Sequence, residues 1–317
     1  MQTKESAVTG QAQQILSCIR RAVVGKDSIL LWVLAAILAG GHILLEDIPG
    51  VGKTTMALAF SRVLNLSCNR IQFTPDVLPS DVTGYCVPDP ATGAMHYRPG
   101  AIVCNLLLAD ELNRAATRTQ SALLEAMEEG QVTVDGIVHP LPQPFIVIAT
   151  QNPTGAAGTA LLPDSQLDRF MVRLSLGYPA PKDEIAMVLH RQERNPLDAL
   201  QPIMTREDLT SLQKTVADTF VSDPVVQYIV DLIVATRSKE DILRGASPRA
   251  TLAVTSLSKA VARLRGRDYV VPGDVREVFS HAIAHRIVVS PRAESQHKCP
   301  DQILREILEA TPIPKLR

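Results

Sequence analysis

Residues 42–60, HILLEDIPGVGKTTMALAF, carry the most specific structural pattern in the chain. The apolar start of this stretch has the composition of a buried strand. The segment DIPGVGKT has the composition of a tight loop, and TTMALAF has the composition of a helix without helix-breaking residues. In this order, successive backbone N–H groups of the loop point inward, and the helix N-terminus adds a partial positive charge. The stretch therefore predicts a loop that binds phosphate groups.

The residues of this loop suggest separate tasks. Gly50 and Gly52 allow close approach of the backbone, Lys53 would reach the outer phosphates, and Thr54 would ligate magnesium. Asp47 stands where the usual pattern has its first glycine. Aspartate tolerates turn conformations, but its carboxylate would repel a triphosphate. We therefore expect its side chain to point away. A glycine-rich turn without a ligand is the disfavoured alternative.

Composition narrows the functional classes. A chain of 317 residues with 46% hydrophobic residues can bury a large core, and its length suggests two domains. The 32 Lys and Arg residues nearly cancel the 33 Asp and Glu residues, and aromatic residues make up only 4%. This balance makes nucleic acid an unlikely partner, because such proteins usually carry a basic face or stacking aromatic rings.

Cysteine usage and hydropathy indicate a cytoplasmic protein. The five cysteines are far apart and form no CxxC pair, which is typical of reduced thiols. The N-terminus lacks the apolar core of a signal peptide. The longest apolar run is divided at Gly40 and Gly41, so each half is too short to cross a bilayer and no membrane insertion is expected.

Strand-like and helical patterns alternate through residue 176, which predicts a parallel sheet covered by helices. The predicted strands are 42–45, 70–73, 102–109, 145–149 and 171–176, and we expect 102–109 to sit centrally. Amphipathic helices are predicted at 181–193, 205–219, 223–237, 248–264 and 272–287. The boundary is placed near 178, giving an α/β domain at 1–178 and a helical lid at 179–317. An insertion at about 74–100 and a hairpin at about 131–141, turning at Asp135-Gly136, should protrude.

Polar residues after the predicted strands complete a candidate nucleotide site. Asp110 and Glu111 follow the most apolar strand, at the sheet edge where ligands of open α/β sheets bind. We expect Asp110 to hold magnesium and Glu111 to orient the attacking water. Asn152 could hold that water or the γ-phosphate, although taken alone an Asn before Pro is more simply a turn residue.

The sequence pattern alone leaves more than one role possible for two arginines and two histidines. Arg169 could form a surface salt bridge or reach a neighbouring subunit's site. Arg249 lies in the first turn of a helix, where a cation is unfavourable, which suggests a role other than helix stability. His281 and His285 are spaced like metal ligands on a helix, but the sequence offers no evident third ligand.

At this point the sequence resembles AAA+ ATPases, and within them the MoxR group. The resemblance spans nearly the whole chain, through HILLEDIPGVGKTT, LLLADELNRAATRTQSALLEAMEEGQVTVDG, FIVIATQNP, LPDSQLDRFMVRLSLGYP and GASPRA. MoxR-like proteins commonly have Glu-Asp before the Pro-Gly-x-Gly-Lys-Thr motif, so Asp47 fits the group. One departure is the segment NPTGAAGTALLPDSQ, which lacks the acidic residue expected after Asn-Pro; the departure concerns local loop contacts rather than the nucleotide chemistry.

The resemblance implies a role for each candidate residue. Asp110 and Glu111 would form the Walker B pair, Asn152 would be sensor 1, Arg169 the arginine finger and Arg249 sensor 2. The segments 74–100 and 131–141 would be the helix-2 insert and the pre-sensor hairpin. The ATP-binding residues would be Val24 and Gly25 near the adenine, and Pro49, Gly50, Val51, Gly52, Lys53, Thr54 and Thr55 around the phosphates.

The family further implies a hexameric ring that hydrolyses ATP with Mg²⁺ and remodels a client protein complex, often with a partner that carries a von Willebrand factor A (VWA) domain. Three alternatives remain open at this stage. One is a nucleotide-gated scaffold with negligible turnover, and another is an accessory ATPase like that of magnesium chelatase. A DNA-remodelling relative is the third, and the neutral charge weighs against it.

Overall fold

The computed structural model describes residues 2–48, 50–152, 161–193 and 195–315, with the side chains of 2–7 and 190–193 left out. The strands are β1 Ile43–Glu46, β2 Cys68–Gln72, β3 Gly84–Pro88, β4 Met95–Pro99, β5 Leu106–Asp110, β6 Gln131–Val134, β7 Ile137–Pro140, β8 Ile146–Gln151, β9 Val172–Leu174, β10 Ile242–Arg244 and β11 Val288–Val289. The α-helices are α1 Gln2–Ile19, α2 Asp27–Leu38, α3 Lys53–Val63, α4 Pro79–Thr83, α5 Thr117–Glu129, α6 Asp164–Leu167, α7 Pro181–Glu193, α8 Arg206–Ala217, α9 Asp223–Ser238, α10 Pro248–Leu264, α11 Pro272–Ile283, α12 Pro291–Ser295 and α13 Pro300–Ala310.

Five strands form one parallel sheet in the order β2-β5-β8-β1-β9. This confirms the predicted five-stranded α/β core. The register pairs Gln72 with Asp110 and Glu46 with Gln151, so the carboxyl ends of β1, β2, β5 and β8 share one edge of the sheet. The loops that leave these ends are therefore neighbours, as the position of a ligand site in an open sheet requires.

The sheet separates two hydrophobic cores. Along β5, Leu106 and Leu108 belong to the core shared with α2 and α3, whereas Leu107 and Ala109 belong to the core beneath α5. All five residues of this strand are buried, which explains why its sequence shows no polar alternation. The strand ends that carry polar side chains are thus fixed from both sides.

Two details of the predicted sheet are wrong. The strand predicted at 102–109 begins only at Leu106, because residues 101–105 form bonded turns, including Ile102 N to Val82 O at 3.1 Å. It is an interior strand, but the middle position belongs to β8. An apolar run shows that a strand is covered on both faces, yet it carries no information about how many strands lie on each side.

Two antiparallel hairpins project from the sheet region. The pair β3–β4 lies within the predicted insertion at 74–100, and β6–β7 confirms the predicted hairpin with its two-residue turn at Asp135 and Gly136, both at positive φ. The rings of Tyr97 and His139 stack at 3.8 Å between their centroids, so the two hairpins touch.

The C-terminal region is a helical lid, as predicted, with three additions. Strands β10 and β11 pair within it, helix α13 follows them, and the N-terminal helix α1 packs against α10. Helix α11 is shorter than the predicted 272–287, because residues 284–286 form a turn in which His285 and Arg286 bond to the carbonyl of Phe170. No helix in the described ranges combines the length and the apolar character that a membrane span needs.

Candidate functional site

The loop between β1 and α3 has the conformation that its glycines permit. Gly50 and Gly52 have φ angles of 87° and 97°, in the left-handed region that side chains disfavour, and helix α3 begins at Lys53 immediately afterwards. The amides of this first turn have no partners within the helix. Pro49, which the resemblance assigned to the same loop, lies outside the described residues.

Lys53 is buried and bonded to the loop itself. Its Nζ donates to the carbonyl oxygens of Asp47 at 2.7 Å and Ile48 at 3.3 Å. Burial lowers the pKa of this lysine, and the carboxylates of Asp47, Asp110 and Glu111 oppose the shift. The ammonium is thus held beside the loop with two uncharged partners, which a phosphate oxygen can replace with a stronger, charge-assisted bond.

The Asp47 side chain points away from the phosphate-binding loop, as predicted from the sequence. Its carboxylate accepts bonds from Ser175 Oγ at 3.0 Å, from Gly177 N at 3.1 Å and from Leu176 N. Lys26 binds the same segment, donating to the carbonyls of residues 176–178 at 2.5, 3.0 and 3.0 Å. Two buried charges of opposite sign therefore hold the segment after β9, which leads to the helical lid.

The carboxylate of Asp110 sits at the shared sheet edge. Its Oδ1 accepts a bond from Thr150 Oγ1 at 3.1 Å, and Arg70 Nε lies 2.7 Å from Oδ2. Thr150 also accepts a bond from the backbone N–H of Glu111 at 2.9 Å. The ends of three neighbouring strands thus orient the predicted metal-binding carboxylate.

Glu111 has a backbone conformation that aims its side chain away from the strand. Its φ of 55° and ψ of 46° are left-handed, which is uncommon for a residue other than glycine and occurs often at functional positions. Its carboxylate accepts bonds from Asn152 Nδ2 at 3.3 Å and from Arg114 Nη1 at 2.7 Å. The pair that the sequence assigned to the attacking water is therefore in contact.

These groups line a cavity of about 310 Å³ at the sheet edge, which we call the loop cavity. Its lining residues are Gly50, Gly52, Lys53, Thr54, Thr55, Arg70, Gln72, Asp110, Glu111, Thr150 and Asn152. A second cavity of about 640 Å³ adjoins it at Gly50, Gly52 and Thr55, and it is also lined by Val24, Met187 and Leu197. Val51 lines a small cavity beside the second one. Together the cavities have the size that a nucleotide needs. The first has a polar lining that suits phosphates, and the second has apolar side chains that suit a base.

Gly25 leaves room for a neighbouring helix, and it is not among the residues that line these cavities. At its φ of 71°, an added Cβ would lie 2.2 Å from Asp183 Oδ2 on helix α7. The glycine therefore allows α7 to approach the segment that carries Val24.

The residues fit a magnesium-bound triphosphate better than a free metal ion. Thr54 and Asp110 face the same cavity as Lys53, so a hydroxyl and a carboxylate are available next to an ammonium. Among the described residues, no group of three or more His, Cys, Asp or Glu could hold a metal by itself. A cation here would take its remaining ligands from phosphate oxygens and water, as Mg²⁺ usually does.

Arg169 and Arg249 lie together, away from these cavities. Arg169 Nη1 is 2.6 Å from Glu128 Oε2, and Arg249 Nη2 contacts Glu128 Oε1. We call these three residues the arginine cluster. In the part of the chain that the structure describes, neither arginine lines the loop cavity or the cavity beside it.

Buried Arg286 anchors the segment before β9 next to this cluster. Its Nη2 donates to the carbonyls of Asp168 at 3.0 Å and Phe170 at 2.8 Å, and its Nε lies 3.2 Å from Asp168 Oδ1. Burial lowers the pKa of Arg286 to about 10, with a further contribution from Arg249. No sequence pattern indicated Arg286, because its partners lie more than 100 positions away in the chain.

The chain matches the ATPase family associated with various cellular activities (AAA) over residues 42–172 and an AAA lid domain over residues 234–307. It is 44% identical to the protein YeaC of Bacillus subtilis over 94% of this chain and 93% of that protein. It is also 38% identical to the chaperone MoxR1 of Mycobacterium tuberculosis, covering 94% of this chain and 81% of MoxR1. The chain belongs to the MoxR family of AAA+ ATPases.

A solved structure agrees with this assignment. The crystal structure of a candidate ATPase from Cytophaga hutchinsonii superimposes with a TM-score of 0.92 at 35% identity, covering 99% of this chain and 98% of that one. The five-stranded core and helical lid of the MoxR chain are therefore shared over the full length of both proteins.

Sequence patterns did not indicate Arg70, Gln72, Thr150 or Glu128. Arg70 lies in the middle of the edge strand β2, Gln72 ends that strand, and Thr150 is two positions before Asn152, so their location in or near strand ends was the available signal. Glu128 had no comparable signal, since it is one of several acidic residues on a helix. The histidines considered as metal ligands do other work: His281 packs on Trp32 and His285 bonds to Phe170 O at 2.9 Å.

Proposed function

We propose that this chain is an ATP-hydrolysing motor of the MoxR family with a chaperone-like role. The observation that carries the proposal is the loop cavity, where Lys53, Glu111 and Asn152 meet at the edge of the sheet. Each of them has a chemical part in phosphoryl transfer to water, and their convergence from three segments is what that reaction requires.

The residues of the cavity divide the work. Lys53 would leave its carbonyl partners and bind the outer phosphates, while the amides around Gly50 and Gly52 bind the inner ones. Thr54 and Asp110 would hold Mg²⁺, which neutralises charge on the β- and γ-phosphates when bound. Glu111 would accept a proton from the attacking water, and Asn152, 3.3 Å away, would orient Glu111 and that water.

Arg169 and Arg249 would act on the nucleotide of a neighbouring subunit. Both are part-exposed and sit in the arginine cluster rather than at the cavity, so a second protomer has to bring an active site to them. Arginines supplied in this way stabilise charge on the transferred phosphoryl group. This arrangement supports a ring, and the MoxR resemblance implies that the ring would be a hexamer.

The remaining features of the proposal follow from the family. The motor would act in the cytoplasm on a protein client, together with a VWA-domain partner, and its two exposed hairpins would face the ring's pore. We place the domain boundary between residues 178 and 179, in the segment after the part that Asp47 and Lys26 hold. The MoxR1 relative is described as a chaperone, which favours this role over a metal-chelatase type of function.

The proposal is tested by measuring ATP hydrolysis and particle mass together, with the Glu111→Gln variant as a trap. Wild type should hydrolyse ATP and form larger particles in its presence. The variant should bind ATP, assemble and retain client proteins without turnover. A protein that binds no ATP under any assembly condition would contradict the motor and the ring alike, and a wild type that assembles but does not hydrolyse would indicate a scaffold.

A further inference from the structure

One carboxylate joins two arginines that the sequence separates by 80 positions. Glu128 lies near the end of α5, with Oε2 at 2.6 Å from Arg169 Nη1 and Oε1 against Arg249 Nη2. Arg169 lies in the segment before β9, and Arg249 lies in the first turn of the lid helix α10. Three separate elements therefore meet at one side chain.

We propose that Glu128 is a positioning residue, which holds the guanidinium groups of Arg169 and Arg249 side by side so that both can bind the γ-phosphate of a neighbouring subunit's nucleotide. This rests on the proposed function. The arginines make the contact with phosphate, and Glu128 acts through them.

The charge arrangement explains why such a carboxylate is needed. Two guanidinium groups in one place repel each other, and the buried Arg286, which is bonded to Asp168 immediately before Arg169, adds a third cation. Glu128 offsets this repulsion by giving each arginine its own oxygen. Without it, Arg169 and Arg249 would separate into solvent and lose rotamer order before a phosphate arrived.

The contacts leave donors available for phosphate. A guanidinium carries five N–H donors, and the ion pairs with Glu128 run through Nη1 of Arg169 and Nη2 of Arg249. For Arg169 that same Nη1 also donates to Leu124 O at 2.6 Å, so both of its fixed bonds are on one side of the group. The opposite edges remain for bidentate recognition of phosphate.

The backbone beneath Glu128 is itself fixed. The preceding carbonyl, of Met127, is bonded to His42 Nε2 at 3.0 Å, and Gly130 ends the helix in a left-handed conformation at φ 65°. Helix α5 therefore ends at a defined place, and Glu128 projects from its last turn. A carboxylate on a fixed helix end can set the position of two side chains that come from other elements.

The test substitutes Glu128→Gln and uses Glu129→Gln as the matched control. The neighbouring Glu129 is exposed and forms no ion pair among the described residues. Loss of the Glu128 charge should reduce kcat at least about tenfold. The reason is that a small displacement of Arg169 and Arg249 from the reacting phosphate lowers the rate strongly. The affinity for ATP in the variant's own cavity should not change. Equal kcat in the two variants would overturn the proposal.

Mixed assemblies separate positioning from a general structural defect. A subunit with Glu128→Gln keeps an intact cavity, so mixing it with Glu111→Gln subunits, whose arginines are intact, should recover activity. Mixing it with Arg169→Ala subunits should recover none, because both partners are then defective on the arginine side. Recovery in the second mixture, or its absence in the first, would contradict the assigned role.

A measurement that does not need turnover checks the pairing itself. In a double-mutant cycle of Glu128→Gln and Arg249→Met, the shifts in Tm should be less than additive, since each change removes the same contact. Additive shifts would overturn the pairing. A wild type that never hydrolyses ATP would contradict the proposed function, whereas an active wild type with an unaffected Glu128→Gln variant would contradict only the role of Glu128.

Discussion

The loop cavity and the arginine cluster are built in different ways. The cavity takes its residues from the ends of neighbouring parallel strands and from the loop after β1, so the register of the sheet sets their spacing. The cluster takes Glu128, Arg169 and Arg249 from a helix end, a short connection and the lid. The cavity therefore depends on the sheet and on the loop and helix that follow β1, whereas the cluster depends on how the lid meets the sheet.

The two regions also differ in what they offer a ligand. The cavity contains an ammonium, carboxylates, a hydroxyl and an amide, which is a nearly complete set for binding and cleaving a triphosphate. The cluster offers two cations whose side chains are 29% and 42% exposed, next to a single carboxylate. In the ring that we propose, the cavity of one protomer and the arginine cluster of the next would therefore form one reaction centre.

Removing Arg169 from the arginine cluster should produce the largest loss of ATPase activity. Arg169→Ala is expected to reduce kcat by about 10³-fold, because an arginine supplied by a neighbouring subunit stabilises transition-state charge. The affinity for ATP should stay close to that of wild type, since Arg169 lines neither cavity in the described chain. Steady-state kinetics with a direct nucleotide-binding assay checks both, and a parallel loss of affinity would place Arg169 in its own subunit's cavity.

A change inside the cavity should have a comparable but smaller effect. Glu111→Gln removes the group that accepts the proton from water, for which a loss of about 10²-fold or more in kcat is expected. The amide can keep the contacts with Arg114 and Asn152, so binding of ATP should survive. Hydrolysis at the wild-type rate in single-turnover experiments would remove Glu111 from its assigned role.

Asp47→Ala should weaken the fold near the cavity rather than the chemistry. It leaves the amides of Leu176 and Gly177 and the hydroxyl of Ser175 without their buried acceptor. We expect a loss of about 3 kcal/mol in the free energy of unfolding, measured by denaturant titration. Asp76→Ala, at an exposed position, is the matched control. Equal stability of the two variants would contradict the bonding described for Asp47.

Acid should affect the helix end that carries Glu128. Burial lowers the pKa of His42 to about 4, and its ring accepts a bond from Val147 N at 3.0 Å while contacting Met127 O. The unfolded chain binds this proton at higher pH, so the stability is present above the ordinary pKa and is lost as the pH falls towards 4. Between pH 8 and pH 5 the histidine should cost about 2 kcal/mol.

The check is a pair of denaturant titrations at these two pH values, with His42→Gln for comparison. The variant should lose less stability on acidification than wild type. An identical loss in both proteins would assign the pH dependence to other groups, such as buried His285, whose pKa is also lowered by burial.

Most of the cavity could be predicted from the sequence because local rules determine it. Lys53 begins a helix, Asp110 ends a strand and Asn152 follows one, and strands of a parallel sheet end on the same side. The away-facing carboxylate of Asp47 was also predictable, from repulsion with phosphate alone. Its actual partners were not, because they lie 128 to 130 positions further along the chain.

The arginine cluster shows where sequence reasoning stops. Glu128 and Arg249 are 121 positions apart, and their contact depends on the docking of α10 against the sheet region. The order of the strands was missed for a similar reason, since burial of β5 does not reveal that β8 occupies the middle. Local patterns identify residues at the ends of elements, and tertiary packing decides which of them meet.

In the proposed ring, the cavity of one protomer works with the arginine cluster of the next. The decisive experiment mixes Glu111→Gln subunits with Arg169→Ala subunits, each inactive alone, and measures ATP hydrolysis after subunit exchange. We predict that the mixture regains activity, because some interfaces combine the intact cavity of the Arg169→Ala subunit with the intact arginine of its neighbour. A mixture that forms rings containing both subunits and stays as inactive as its components would contradict the claim.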